Sequence, residues 1–365
     1  MTAIGMPMEH QYHAQREAAA YYRHIPHVPE SFAVEPRLLG GLSNAQFVAA
    51  FRHYADIMTR MYSDIEVRPE AYGVLAIDIN LVNENKEDGN LAKASWRSIK
   101  RLGDVMAAIG RLGSLDRDAL QVPIAGFKSA LNKMTKAHLI LHRLTDFGFE
   151  VSDLDGERFR KGAVSFNVTY PKNPALIHVI KAYAISDPFH NDDPHEFYYF
   201  DYKRVADRAA LPKDCVARDL AALVDEDKGR LLMELHRCFV DHLKLTAHYK
   251  DDSIEYYLKK KRVARFIIEF HTLDVQVILK LKEMDRYIDL VASLPQSLRR
   301  YFERGSCRYC DFQGATVEHC KFRVSWTLDG DRHDACGFEC FTFRNPPSAC
   351  AEGMVQLLTR EYVAG

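Results

Sequence analysis

Six of the eight cysteines in this 365-residue chain fall between Cys307 and Cys350. The run begins Cys307-x2-Cys310; nine residues then lead to Cys320, fifteen to Cys336, three to Cys340 and nine to Cys350. Thiolates at this density suit a tetrahedral ion such as Zn²⁺, and a Cys-x2-Cys turn supplies two of its four ligands at once. Gly305, just upstream, lets the backbone bend into that turn. Cys320 opens one predicted strand and Cys336 lies on its predicted partner. A turn at Asp329-Gly330 would set Phe322 roughly opposite Cys336. Cys307, Cys310, Cys320 and Cys336 are therefore the expected metal ligands. Cys340 competes with Cys336: on one strand the two would face the same side about 13 Å apart, too far for one ion. His319 and His333 are further reserves. Cys350 follows Pro346-Pro347 and is expected to pack at the start of the last helix. Cys215 and Cys238 stand alone and read as packed thiols. Scattered core cysteines are the plain alternative, disfavoured because a CxxC with two more cysteines in range is seldom accidental. Structural zinc is expected. A four-thiolate iron–sulfur cluster is the alternative cofactor, and a thiol redox sensor that releases zinc on oxidation the alternative role. Catalytic zinc usually keeps an open position and includes His or carboxylate ligands.

A second chemistry lies in the middle of the chain. Short helices at Pro123–Asn132 and Thr135–Phe147 precede strands at Phe149–Val151 and Ala163–Tyr170, joined by the charged loop Asp153–Gly162. This is the chain layout of a winged-helix module. Thr135–Phe147 would be its recognition helix, with Lys133, Lys136 and Arg143 as DNA contacts. Arg158, Arg160 and Lys161 would sit at the wing tip. Leu139, Ile140, Leu141 and Leu144 narrow the polar face, and Asp146, Glu150, Asp153, Asp155 and Glu157 weaken the positive field. A structural or interaction role for the module is therefore favoured over DNA binding.

Other polar groups carry less. His190, Asp192, Asp193, His195 and Glu196 are ligand types, but the prolines of Asp187–Glu196 explain that stretch as a solvated loop. Lys259–Arg262 is a basic run of the kind that usually forms a solvated face. Glu269, His271 and Asp274 flank a hairpin with no third group oriented by spacing, so no catalytic residue is assigned. Signatures of nucleotide, dinucleotide, esterase and zinc-protease sites are absent from the sequence.

The elements that must position these residues follow from pattern. Hydrophobic residues are 47% and charged residues 27% of the chain, enough for real cores, and Lys+Arg 49 against Asp+Glu 50 argues against a polybasic protein. No apolar run suits a membrane span or a secretory signal, so a cytoplasmic protein with reduced thiols is expected. Partners and oligomeric state are not indicated. Residues 1–40 read as a loosely ordered arm with a short helix near Ala14–Tyr22. Residues 41–118 read as a helical region with one strand, Tyr72–Ile79. Residues 119–186 form the winged-helix-like module. Residues 187–262 hold a linker, a short aromatic strand Phe197–Tyr202 and a long helix Val216–Tyr249, with a break allowed near Asp225–Lys228. Residues 263–365 form a small α/β domain with two hairpins: Ala264–Phe270 with Val275–Leu281, and Phe322–Leu328 with Asp334–Phe343. Helices are expected at Asp285–Ser293, Gln296–Phe302 and Ala349–Tyr362. The fold class is α+β, with a mostly helical N-terminal half.

The stretch Phe266–Tyr362 carries Lys282-Glu283-Met284-Asp285-Arg286-Tyr287, Ser293-Leu294-Pro295, the Cys307-x2-Cys310…Cys320 knuckle, Trp326-Thr327-Leu328-Asp329-Gly330 and Ala335-Cys336-Gly337-Phe338. It resembles a family of uncharacterised bacterial proteins common in clostridia and their relatives. Asp146-Phe147-Gly148-Phe149 and Val168-Thr169-Tyr170-Pro171 are similar to the middle of that family. The resemblance covers residues 120–365. It implies a helical N-terminal part joined to a C-terminal α/β domain with a cysteine knuckle, and it implies no activity.

Overall fold

The computed structural model describes residues 12–84, 90–131, 136–156, 158–189, 197–250, 252–303, 323–336 and 341–363. The fold is mixed helix and sheet, an α+β arrangement, in two compact units, Met1–Pro212 and Lys213–Gly365. Among the described residues no helix is long and apolar enough to cross a membrane.

Helices α1 (His13–Arg23), α2 (Asn44–Val67), α4 (Asn90–Leu112) and α7 (Ala175–Ile185) pack together in the first unit. Ser43 starts α2 with a reciprocal cap, its side chain accepting from the Gln46 amide while the Gln46 side chain accepts from its own. Phe47, Phe51, Tyr54, Met58, Met61 and Ile65 then recur at helical spacing and are all buried. Helices α4 and α7 approach closely at Gly110, where a Cβ would stand 2.4 Å from the Ala184 Cβ. Each caps the other: Arg111 Nε donates to the Ala184 carbonyl at 3.0 Å, and Lys181 Nζ to the Gly113 carbonyl at 2.9 Å. Cations at helix C-termini satisfy carbonyls that have no partner within the helix.

Between α4 and α7 lie β1 (Ser114–Asp116), β2 (Ala119–Pro123), α5 (Ile124–Ala130), α6 (Ala137–Asp146), β3 (Glu150–Val151), the small β4–β5 hairpin (Leu154–Asp155, Arg158–Phe159) and β6 (Ser165–Thr169). The antiparallel sheet runs β1-β2-β6-β3. Leu120, Val122, Phe166 and Val168 alternate inward and are buried.

Four expectations for this unit change. The short helix expected near Ala14–Tyr22 is α1, but it is not part of a loose arm: its Ala14, Ala18, Ala19 and Tyr21 are buried, and small side chains let it lie against α2 and α4. Tyr72–Ile79 is not a strand. A 3-10 turn at Pro69–Tyr72 ends on Gly73 at φ 66, and after an extended stretch α3 (Ile79–Glu84) begins. Among the described residues its apolar residues find no partner strand, only a bridge between Tyr12 and Asp78. Phe197–Tyr202 is a turn followed by a 3-10 helix, Tyr202–Arg204, with Phe200 at φ 50. The boundary expected after residue 186 falls inside the first unit, where Arg204 donates to the Ser186 carbonyl.

The second unit opens with α8 (Cys215–Leu223) and α9 (Glu226–Arg237), then a π-helical turn at Cys238–His242. The long helix expected here breaks within Asp225–Lys228, where the sequence allowed for a break: Asp225 accepts from the Lys228 amide and starts a new helix, and the expected helix end at Thr246–Tyr249 is instead strand. Five strands follow in the order β13-β10-β9-β8-β7: β7 (Thr246–Lys250), β8 (Ser253–Leu258), β9 (Lys261–Ile268), β10 (Val275–Leu279) and β13 (Phe341–Arg344). Ile254, Tyr256, Ala264, Phe266, Val277, Leu279, Phe341 and Phe343 form its buried face. The boundary expected at 262 therefore lies inside β9. Short helices α10 (Ile288–Ser293) and α11 (Gln296–Glu303), then β11 (Arg323–Leu328), β12 (Asp331–Cys336) and α12 (Ala351–Tyr362), complete the unit. Among the described residues strands β11 and β12 pair only with each other, across Asp329-Gly330 at φ 54 and 89. The strand expected over Asp334–Phe343 is thus split: β12 closes this hairpin and β13 pairs with β10.

Candidate metal centre

Strand β12 ends at Cys336, which pairs with Arg323, one residue from the expected partner. Alternation puts Cys336 on the ribbon face of Arg323, Ser325 and Asp334, while His333 lies on the opposite face opposite Trp326. The His333 ring stacks on Trp326 at 5.9 Å between centroids. His333 and Cys336 thus face apart, and His333 is a poor substitute for a ligand beside Cys336. The Cys336 thiol is half-buried and in no disulfide. Across the ribbon, Arg323 Nε and Ser325 Oγ both donate to Asp334 Oδ1. These contacts hold the Asp334 carboxyl below the usual range, the Ser325 bond first.

Cys307, Cys310, Cys320, Cys340 and His319 lie outside the described residues, as do Lys133 and the stretch from His190 to Glu196. Among the described residues no group of three His, Cys, Asp or Glu side chains could hold an ion. What is described at this end fits a metal ligand: a thiol at a strand end, in no disulfide, facing a polar side of the ribbon. The buried Trp326 Nε1 has no hydrogen-bond partner among the described residues. Cys350 is fully buried with its Sγ 3.3 Å from Ser297 Oγ, in the packing role expected of it. Cys215 is buried at the start of α8; Cys238 is half-buried at the π turn, where burial pushes its thiol up.

The cations expected to meet DNA separate into two groups. Arg143 is committed: its guanidinium donates to Asp64 Oδ2 and Asp146 Oδ2, both at 2.5 Å, and its side chain is 15% exposed. Asp64 also accepts from Arg68 and from the Tyr72 hydroxyl. Burial works to raise its carboxyl, but these bonds together hold it below the usual range. Lys136 donates to the Gly73 carbonyl at 3.4 Å and packs on that glycine. Only Thr145 and Asp146 of α6 are exposed. Arg158, Arg160 and Lys161 do stand exposed on and beside β5. Glu269 and Asp274 accept from Gln276 and Asn345, which ties the β9–β10 turn to the chain after β13.

Two clusters were not legible in the sequence. In the first unit the Tyr198 hydroxyl donates to Asp104 at 2.9 Å, and the Lys100 ammonium lies 4.1 Å from the Trp96 ring centroid and 4.0 Å from that of Tyr198. Burial raises the Asp104 carboxyl and lowers the Lys100 ammonium. The only sequence signal was the i,i+4 spacing of the charged pair on α4. In the second unit Glu255, 4% exposed, accepts from the Tyr257 hydroxyl and Arg262, with Lys250 at 3.3 Å and Arg265 at 3.7 Å. Alternation along β8 was the available signal. An open cavity of about 490 Å³ in the first unit is lined by Glu35, Asp187, Pro188, Ala206, Asp207 and Arg208, and Arg37 bridges Glu35 and Asp187 at its rim.

Comparison of the chain with protein-family models, curated proteins and solved structures found no match.

Proposed function

We propose that this is a cytoplasmic, non-catalytic zinc-binding protein. Its structural ion would be held by Cys307, Cys310, Cys320 and Cys336. The supporting observation is the register of β11 and β12, which puts the half-buried Cys336 opposite Arg323, three residues beyond Cys320. Four thiolates make a closed tetrahedral site with no open position for substrate, hence a structural role. Such an ion would fasten the segment between α11 and β11 to the end of β12 and add folding free energy to the C-terminal unit. The proposed membership of the uncharacterised clostridial-type family accords with the same knuckle. Metal content of reduced, full-length protein tests the proposal, together with Cys336→Ser. A zinc-to-chain ratio near one that drops in the variant supports it, whereas a ratio far below one rejects it. Visible absorbance would reassign the site to an iron–sulfur cluster. Zinc loss with a Cys307–Cys310 disulfide under mild peroxide would mark a redox sensor.

A winged-helix DNA-binding regulator is the second reading. It is favoured by the strand order β2-β6-β3, with α5 and α6 between β2 and β3, and by the exposed cations at the β4–β5 tip. The engagement of Arg143 and Lys136 by the first unit itself weighs against base contacts through α6. A salt-dependent gel shift lost on Arg158→Glu with Lys161→Glu would support it, and no shift at low salt would remove it.

A further inference from the structure

The outer face of the five-stranded sheet carries a charge that the rest of its own segment does not balance. Residues 244–265 hold seven cations, Lys244, Lys250, Lys259, Lys260, Lys261, Arg262 and Arg265, against Asp251, Asp252 and Glu255, in a chain of net charge -1. Glu255 is buried beneath Lys250, Arg262 and Arg265, and one carboxylate cannot neutralise three cations. A bulge between β8 and β9 at Tyr256/Tyr257 brings both Arg262 and Arg265 to the Glu255 side, although their odd spacing would otherwise part them. Glu255 therefore fixes the positions of the three cations while Lys250 and Arg262 stay 52% and 38% exposed. At the β8–β9 turn Lys259 and Lys260 are exposed, with no carboxylate partner among the described residues, whereas Lys261 lies on the opposite face with its ammonium 5.2 Å from the Tyr362 ring centroid. Lys259 takes φ 57, in a hairpin position where Gly or Asn is usual. On the same face, on the edge strand β7 and its neighbour β8, the exposed His248 ring lies 4.7 Å from the Tyr257 ring.

We propose that this face binds single-stranded nucleic acid, the cations of the turn and of the Glu255 cluster tracking phosphates while His248 and Tyr257 offer a ring surface to a base. A cationic track beside aromatic side chains on a sheet is the chemistry by which single strands are held without sequence preference. An anionic membrane would use the charge but not the rings. A duplex keeps its bases stacked inside and could not use the rings either. The proposal is independent of the metal and of the winged-helix reading.

The test is fluorescence anisotropy of full-length protein with labelled oligothymidylate and oligouridylate across a salt series; the tighter of the two identifies the sugar preferred. Lys259→Glu with Lys260→Glu, both exposed turn positions, should weaken binding at least about tenfold and lower the slope of log K against log salt by about 1.4, from about 0.7 per phosphate contact on a single strand. His248→Ala should weaken binding with the salt slope unchanged. Arg117→Glu with Lys172→Glu, exposed in the first unit, should leave affinity as it was; unchanged melting of each variant shows that folding is intact. No binding at low salt overturns the proposal. So does loss of binding on Arg158→Glu with Lys161→Glu while the turn variant still binds. Equal affinity for heparin and oligonucleotide untouched by His248→Ala also overturns it, as does binding to phosphatidylserine vesicles alone.

Discussion

Single side chains decide how this protein responds to pH and substitution. Glu255 is held down to about 2: burial alone would raise it, but the Tyr257 hydroxyl, Arg262 and Lys250 outweigh burial. A carboxyl depressed on folding adds stability that is complete above its unfolded value near 4.5 and is lost as pH falls toward 2. His236 is buried beside the Tyr256 hydroxyl at 3.1 Å, and burial lowers its imidazole against the opposing pull of Asp214 and Asp241. A histidine lowered on folding likewise stabilises above about pH 6.5 and costs stability as pH falls below that value. Melting of the C-terminal unit should therefore fall in two stages, first below about pH 6.5 and again below about pH 4.5. His236→Gln should flatten the first stage and Glu255→Gln the second. Glu255→Gln should also cost about 2 kcal/mol at neutral pH, less than for a fully buried pair because water screens the cations. A melting temperature flat from pH 7 to pH 3 would contradict both assignments. Asp64→Asn removes an acceptor that Arg68, Arg143 and Tyr72 share, and it should lower stability by about 2 kcal/mol in urea unfolding; an unchanged midpoint would show that Arg143 is not tied down.

Elements show which parts of the fold the sequence reveals. Helix α2 was legible because its cap and its apolar spacing agree, and the β11–β12 turn because Asp329-Gly330 admits positive φ at both positions. The four buried residues of β2 and β6 alternate as strands should. Tyr72–Ile79 misled because its apolar residues are extended without a neighbouring strand among the described residues, and pairing is a tertiary fact that local pattern does not contain. Asp334–Phe343 misled for the same reason: continuous strand-like sequence serves two sheets, β12 with β11 and β13 with β10. Of the proposed metal site, the cysteine spacing was legible and the opposite facing of His333 and Cys336 followed only from the register. The Glu255 cluster was illegible because a bulge, invisible in the sequence, gathers its arginines. The mutual capping of α4 and α7 makes its own prediction. Lys181→Met, which keeps the aliphatic stem, should cost about 1 kcal/mol by urea unfolding, and Gly110→Leu, which forces a side chain into Ala184 and Ile180, about 3 kcal/mol. Equal costs for the two would contradict the close approach of these helices.

At the scale of the molecule, two compact units divide the chemistry. The first contains the helical core, the β1-β2-β6-β3 sheet and the acidic cavity; the second contains the cysteine cluster and the cationic sheet face. A near-neutral total hides this, because the positive segment of the second unit is offset elsewhere in the chain. If zinc supports folding of the second unit, its removal should lower the transition of that unit and leave that of the first in place. Calorimetry with and without chelator, under reducing conditions, should therefore show one transition that moves and one that does not. The most direct measurement is the zinc content of reduced, full-length protein by mass spectrometry, set beside that of Cys336→Ser. One zinc per chain, falling well below one in the variant, is the expected result. A wild-type content far below one, or a variant that retains its full zinc, would contradict a site built on Cys336.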